Sequence, residues 1–285
     1  MHLKPIIHWR RPGSFLSVLL LVLAGASSFS VNAGETVSLP SSSHWRPRLI
    51  DTWQWQLSGD LNTSHAATVY DIDLADTSVD VIQALQAAGK KVVCYFSAGS
   101  SEDWREDFHQ FQPADMGRSL DEWAGERWLD TRSANVRRIM QERLTLAAQK
   151  GCNGVEPDNV DAYTNSSGLP LTHYTQLDYN RFLAAQAHGL GLAIGLKNNV
   201  DQLADLVADF DFAVNEQCHE YTECGAYKVF IKQGKPVFNA EYADAYRKGS
   251  KALVTLCADS REIGIHTLVL PIQLNDKFRL DCVDY

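Results

Sequence analysis

Beyond the apolar run from Phe15 to Leu23, the sequence holds no stretch approaching the roughly 20 apolar residues that a membrane-spanning helix needs. Basic side chains are also scarce: 26 Lys and Arg stand against 35 Asp and Glu, for a formal net charge of −9. Recognition of a phosphate backbone needs clustered Lys and Arg, so no nucleic-acid partner is expected. The same balance is compatible with a cationic ligand, although negative charge also simply keeps an exported protein soluble. There is no G-x-S-x-G elbow and no Walker loop. His219-Glu220 lacks the second histidine of H-E-x-x-H, which removes the zinc-protease reading. The six cysteines match no common zinc spacing, and neither a metal nor a cofactor is expected. Internal repeats, low-complexity linkers and abrupt composition changes are missing too, so one domain is the economical reading.

The first residues carry Lys4, Arg10 and Arg11, then the apolar run, then small residues ending in Val31-Asn32-Ala33. This order reads as a secretory signal peptide, residues 1–33, cleaved after Ala33. The run is too short for a stable membrane anchor, and no Cys follows it to carry a lipid. Residues 34–50, with Ser41-Ser42-Ser43 and two prolines, read as a loosely ordered lead-in, and residues 51–285 as the functional domain. The product is expected to be a secreted or periplasmic monomer. All six cysteines follow residue 33, and an even number in an exported chain points to disulfides. Cys218 and Cys224 are expected to pair, because the residues between them can close a small loop. Cys257 with Cys282 would tie the C-terminal segment to the preceding helix. Cys94 and Cys152 either form a third bridge or remain buried thiols.

From about residue 52, short β-type runs alternate with longer helical patterns, as in a parallel sheet covered by helices. Strand candidates are Trp53–Leu57, Thr68–Leu74, Val92–Ser97, Arg127–Asp130, Gly154–Asp158, Leu192–Lys197, Phe212–Glu216, Pro236–Tyr242 and His266–Pro271. That is one more than an eight-stranded barrel needs, so one is an extra hairpin strand or no strand at all. Helical patterns cover Val79–Ala88, Ala134–Lys150, Asp178–His188 and Val200–Ala208. In the second, Val136, Ile139, Met140, Arg143, Leu144 and Ala147 form one stripe at helical spacing, suited to packing on strands. The fold class expected is α/β, a single (β/α)8-type TIM barrel.

Polar residues recur where these apolar strands finish: Asp73, Ser97, Asp130, Asp158, Lys197, Asn198, Glu216, Glu241 and Gln273. Each alone could be a turn or cap residue. In a (β/α) barrel, however, the C-terminal strand ends converge on one mouth, where active sites are built. The run Gly154-Val155-Glu156-Pro157-Asp158-Asn159-Val160-Asp161 is unusual for a buried strand in carrying three acids and a proline. Alternation puts Glu156 and Asp158 on one face, with Asp158 nearer the mouth. Phe212–Glu216 also finishes on a carboxylate. Glycosidic cleavage needs one carboxylic acid to protonate the leaving oxygen and a second carboxylate to attack carbon or activate water, and two strand-end acids supply both. Lys197 and Asn198 offer a donor and an amide for sugar hydroxyls, but a lysine beside acids can equally be their ion-pair partner. Trp53 and Trp55 either stack on sugar or pack in the core.

Six motifs in order carry a resemblance: Trp53-Gln54-Trp55-Gln56-Leu57-Ser58-Gly59, Tyr95-Phe96-Ser97-Ala98-Gly99-Ser100, Glu126-Arg127-Trp128-Leu129-Asp130, Glu156-Pro157-Asp158-Asn159-Val160-Asp161, Gly195-Leu196-Lys197-Asn198 and Asn215-Glu216-Gln217-Cys218. The sequence from about residue 52 to 242 resembles the endo-α-1,4-polygalactosaminidase family, glycoside hydrolase family 114. The resemblance implies a (β/α)8-type barrel that hydrolyses internal bonds of a galactosamine polymer, a cationic amino-sugar polysaccharide. It also implies a catalytic pair, an aspartate of the P-D-N run and a glutamate of the N-E-Q run, here Asp158 and Glu216. Asp158 as nucleophile and Glu216 as acid is the favoured assignment, with the reverse open, and retention of configuration is favoured over inversion. Sugar contacts are expected from Asp73, Tyr95, Ser97, Asp130, Glu156, Asn159, Asp161, Lys197, Asn198 and Glu241. The alternative functions are a barrel that binds carbohydrate without cutting it, and a glycosidase for a related amino-sugar polymer.

Overall fold

The computed structural model describes residues 44–121 and 123–285, so the signal-peptide segment and most of the lead-in lie outside the described residues. Among the described residues there are twelve strands: β1 (Trp53–Gln56), β2 (Val69–Asp73), β3 (Lys91–Ser97), β4 (Ser100–Glu102), β5 (Met116–Ser119), β6 (Glu126–Leu129), β7 (Gly154–Asp158), β8 (Ala193–Lys197), β9 (Phe212–Glu216), β10 (Val237–Glu241), β11 (His266–Val269) and β12 (Leu280–Asp281). The helices are α1 (Val79–Ala87), α2 (Ala134–Lys150), α3 (His173–Gly189), α4 (Leu203–Leu206), α5 (Lys228–Lys232) and α6 (Lys251–Ile263). Among the described residues no helix is long and apolar enough to cross a membrane.

Eight strands run parallel in the order β1-β2-β3-β7-β8-β9-β10-β11, with β12 antiparallel on the β11 edge. The curled sheet is that of a (β/α)8 barrel. Its first and last parallel strands meet through loops and side chains: Leu57 N and Ser58 N donate to Leu274 O, and Arg279 Nη2 donates to Trp53 O of β1. The ninth strand candidate, Arg127–Asp130, is β6, the centre of a separate antiparallel sheet β4-β6-β5 inserted between β3 and α2.

Side-chain alternation divides the barrel into two cores. Tyr70, Ile72, Val92, Cys94, Val155, Ile194 and Leu196 face outward into the layer shared with the helices. Trp53, Trp55, Val69, Val93, Ala193, Phe212, Val214, Phe238, Ala240 and Leu268 face inward and fill the barrel. The stripe Val136, Ile139, Met140, Arg143, Leu144 and Ala147 is the buried face of α2. Local signals set the helix limits. Ser133 caps α2 by accepting from Asn135 N and Val136 N, and Gly151, at φ +86°, ends it. A reciprocal Thr172–Thr175 capping box starts α3 at His173, five residues earlier than its apolar pattern suggests. Three disulfides join Cys94 to Cys152, Cys218 to Cys224, and Cys257 of α6 to Cys282.

Candidate active site

The inward parity that places apolar residues low in the barrel places polar ones at its mouth: Asp158 ends β7, Lys197 ends β8 and Glu216 ends β9. Each of these strands stops in a left-handed turn, at Asn159 (φ 60°), Asn198 (φ 45°) and Gln217 (φ 64°). Asn adopts that conformation more readily than most residues, so two of these turns have a local cause. The end of β7 is held further by Ala98 N and Gly99 N, which both donate to Asp158 O. Only glycine allows this approach, since a Cβ on Gly99 would sit 1.6 Å from Asn159 O.

Lys197 is the centre of the arrangement. Its Nζ lies 3.1 Å from Asp158 Oδ1, 3.2 Å from Glu216 Oε2 and 3.2 Å from Glu156 Oε1, with the side chain 2% exposed. It also sits 4.8 Å from the centroid of the Trp55 ring. Burial alone would pull the lysine pKa down, but Asp158, Glu156 and Glu216 together hold it well above the ordinary value, so it stays an ammonium. Asp158 accepts in addition from Tyr95 Oη at 3.0 Å and from Asn159 N at 2.7 Å. Glu216 accepts from Tyr242 Oη at 2.5 Å and from Asn198 Nδ2 at 3.5 Å. Asn198 in turn accepts from Glu216 N at 2.9 Å and from Asn215 Nδ2, fixing the strand end. Burial, and then the neighbouring carboxylates, push both tyrosines well above the usual phenol range and keep them donors.

The carboxylates floor a cleft. One part, about 410 Å³, is lined by Trp55, Asp73, Tyr95, Trp104, Arg105, Trp123, Glu126, Asp158, Lys197 and Glu216. A second, about 840 Å³, is lined by Trp123, Asp161, Asp201, Glu216, Tyr221 and Glu223. Trp123, Asn198, Glu216, Ile272 and Gln273 border both, so the two are one continuous groove passing over Glu216. Its cations, Lys197 and Arg105, are already paired; Arg105 grips both oxygens of Asp73 at 2.6 and 3.0 Å. The groove therefore presents net negative charge, with exposed indoles at Trp104 and Trp123 and an exposed phenol at Tyr221.

The family model for glycoside-hydrolase family GH114 matches residues 34–284. The chain belongs to glycoside-hydrolase family GH114. Among solved structures, that of Ega3 from Aspergillus fumigatus in complex with galactosamine is 42% identical, with a TM-score of 0.79 over 84% of this chain and 97% of that one. The glycoside hydrolase domain of PelA from Pseudomonas aeruginosa is 14% identical, with a TM-score of 0.64 over 80% of this chain and 97% of that one, a likeness of fold. No curated protein sequence matches the chain.

In this GH114 hydrolase the mouth gathers Asp158, Glu216, Lys197, Asn198 and Tyr95, with Asp161 in the adjoining part of the groove. The Asp161 carboxyl is pushed up to about 6 by burial and by Asp158. Asp73 reaches the groove but is clamped by Arg105, and the Asn159 amide is turned to Ser97 and Ser100 Oγ. The other four residues expected to contact sugar lie outside the groove lining. Asp130 follows β6 of the inserted sheet, not a barrel strand, and it binds Arg132 at 2.7 Å. Ser97 is fully buried, hydrogen-bonded to Ser100. Glu156 is buried beneath Lys197, out of reach of a sugar. Glu241 points outward, where it accepts from His219 N. Phe238 and Ala240 face inward on β10, so the same alternation carries Tyr242, not Glu241, to the mouth. That parity was available in the sequence and would have found Tyr242; Trp104 and Trp123, on the inserted sheet's loops, had no such signal. Both Trp53 and Trp55 are core residues.

Proposed function

We propose that this GH114 hydrolase cuts internal α-1,4 bonds of a partly deacetylated galactosamine polymer, with Asp158 as nucleophile and Glu216 as acid and then base. The observation that carries the reading is the pair of carboxylates bracketing one buried ammonium in the floor of a groove that extends to either side of them. Such a groove suits a chain bound in its middle. Its net negative lining would concentrate a cationic sugar, and its exposed aromatic rings suit stacking on sugar faces and ammonium groups. The 42% identical Ega3 was solved with galactosamine, which supports an amino-sugar substrate.

Asp158 Oδ1 and Glu216 Oε2 both lie within 3.2 Å of one nitrogen, so they are no more than twice that distance apart. That limit on the two facing oxygens is compatible with the about 5–5.5 Å carboxyl separation of retaining enzymes. In the retaining course Asp158 attacks the anomeric carbon while Glu216 gives its proton to the departing glycosidic oxygen. Glu216 then takes a proton from water, whose oxygen displaces Asp158 and restores its carboxylate. Each carboxylate has three donors, and exposure separates them: Glu216, the more exposed, suits the leaving group and water, and Asp158 the nucleophile. Residues 51–285 form the catalytic domain in this reading, and the three disulfides fit an oxidising, secreted or periplasmic location.

The test is incubation of the purified chain with galactosamine polymers of graded acetylation, read by mass spectrometry and by anomeric proton NMR. The proposal expects mid-chain fragments, faster from the deacetylated polymer, whose new reducing ends appear first as the α anomer. Binding without fragments would favour a carbohydrate-binding barrel instead.

A further inference from the structure

Below Lys197 the barrel holds two acids that the proposed chemistry does not use. Asp71 on β2 is 1% exposed and Glu156 on β7 is 0% exposed. Both face inward by strand alternation, and both stand clear of the groove lining. Asp71 Oδ1 and Glu156 Oε2 have no hydrogen-bond donor among the described residues, and Glu156 Oε1 faces only the shared Lys197 ammonium. The charged and titratable neighbours are Tyr95 on β3, Asp158 on β7, Lys197 on β8, Glu216 on β9 and Tyr242 after β10. Of these Lys197 is the cation, and it already faces Asp158 and Glu216. One ammonium shared with the two groove carboxylates cannot also balance both buried acids, and an unpaired buried charge is strongly destabilising. The tyrosines point upward to Asp158 and Glu216 and offer the lower pair nothing.

We propose that Asp71 and Glu156 share one proton across a carboxyl–carboxylate hydrogen bond, making Asp71 a positioning residue that steadies the Glu156 anion under Lys197 and so holds the ammonium up between Asp158 and Glu216. The shared proton gives the orphaned oxygens a donor and reduces the buried charge by one. Burial and mutual repulsion agree with it: the Glu156 carboxyl is pushed up to about 7 chiefly by burial, against the pull of Lys197, and Asp71 rises well above its ordinary range by burial and then by Glu156. Without the Asp71 proton, Glu156 would draw the ammonium downward, away from the two acids at the mouth. The positioning role rests on the catalytic reading of Asp158 and Glu216; the shared proton does not.

Infrared difference spectroscopy of the intact protein near neutral pH separates the two. The wild-type minus Asp71→Asn difference spectrum should carry a carboxylic-acid C=O band, from which the Glu126 carboxyl common to both proteins cancels, because the variant's amide donates to Glu156 in the proton's place. That variant should keep turnover within about fivefold, whereas Asp71→Val, which has no donor, should lose about 10- to 100-fold in kcat with KM little changed, because Asp71 does not touch the sugar. Should Asp71→Val fail to fold, Asp71→Asn with Glu156→Gln, two neutral amides that can pair, takes its place and should keep kcat near the wild-type value, since no unsteadied anion then draws Lys197 downward. A difference spectrum without the band overturns the shared proton. Wild-type kcat in the donorless variant, or a tenfold or greater loss in the doubly neutral one, overturns the positioning role.

Discussion

Lys197 is the residue through which the site's charges are coupled, since its one ammonium touches Glu156, Asp158 and Glu216. Lys197→Met should therefore destabilise the fold by about 3–5 kcal/mol at neutral pH, because it leaves buried carboxylates without a cation. The loss should shrink on acidification as those carboxyls take up protons; equilibrium urea unfolding at several pH values checks both parts. Glu126 gives a second dependence. Burial, opposed by the Ser100 hydroxyl and reinforced by Glu102 and Asp158, pushes it from 4.5 to about 7. A carboxyl raised on folding contributes stability that is complete below its unfolded pKa and is lost as pH rises through its folded one. Wild-type stability relative to Glu126→Gln should thus fall between pH 4.5 and about 7, and a flat difference across that window would contradict the burial argument. At this scale the sequence was legible where alternation decided the matter, as at Asp158 and Glu216. It misled where a strand end was taken for a mouth position without checking parity, as at Glu241, or without knowing which sheet the strand joins, as at Asp130.

Among the elements, the eight parallel strands were legible because each is a short β-type run, most of them with a polar end. The inserted sheet was half legible: β6 reads as a strand, while β4 and β5 are too short and polar to register. Pairing partners of β6 lie outside any local pattern, so its antiparallel setting follows only from tertiary structure. The Cys94–Cys152 bridge joins β3 to the turn before β7 across 58 residues of sequence. Replacing both cysteines by Ala should cost about 4 kcal/mol if the cost is loop-closure entropy in the unfolded chain. The Cys218–Cys224 bridge spans only 6 residues and should contribute about 2 kcal/mol on the same reasoning. Chemical denaturation of the two double variants measures the ordering directly; a larger loss for the short bridge would point to strain or packing at the end of β9 instead.

For the whole molecule, a groove of net negative charge crosses the barrel mouth with Asp158, Lys197 and Glu216 in its floor. Its wall comes from the inserted sheet between β3 and α2, which carries Trp104 and Trp123 over the strands' carboxyl ends. Neither the groove's length nor its aromatic rim could be read from the sequence, because both depend on where long connections fold back. The floor could, since a barrel brings its strand ends to one place. The most direct measurement of the account is fragment release from an α-1,4-galactosamine polymer by the wild type, Asp158→Asn and Glu216→Gln, with unfolding temperatures recorded on the same samples. The account predicts oligosaccharides from the wild type, losses of several orders of magnitude in each variant, and three closely similar unfolding temperatures, because each swap removes one chemical role and little packing. Near-normal cleavage by either variant would contradict it.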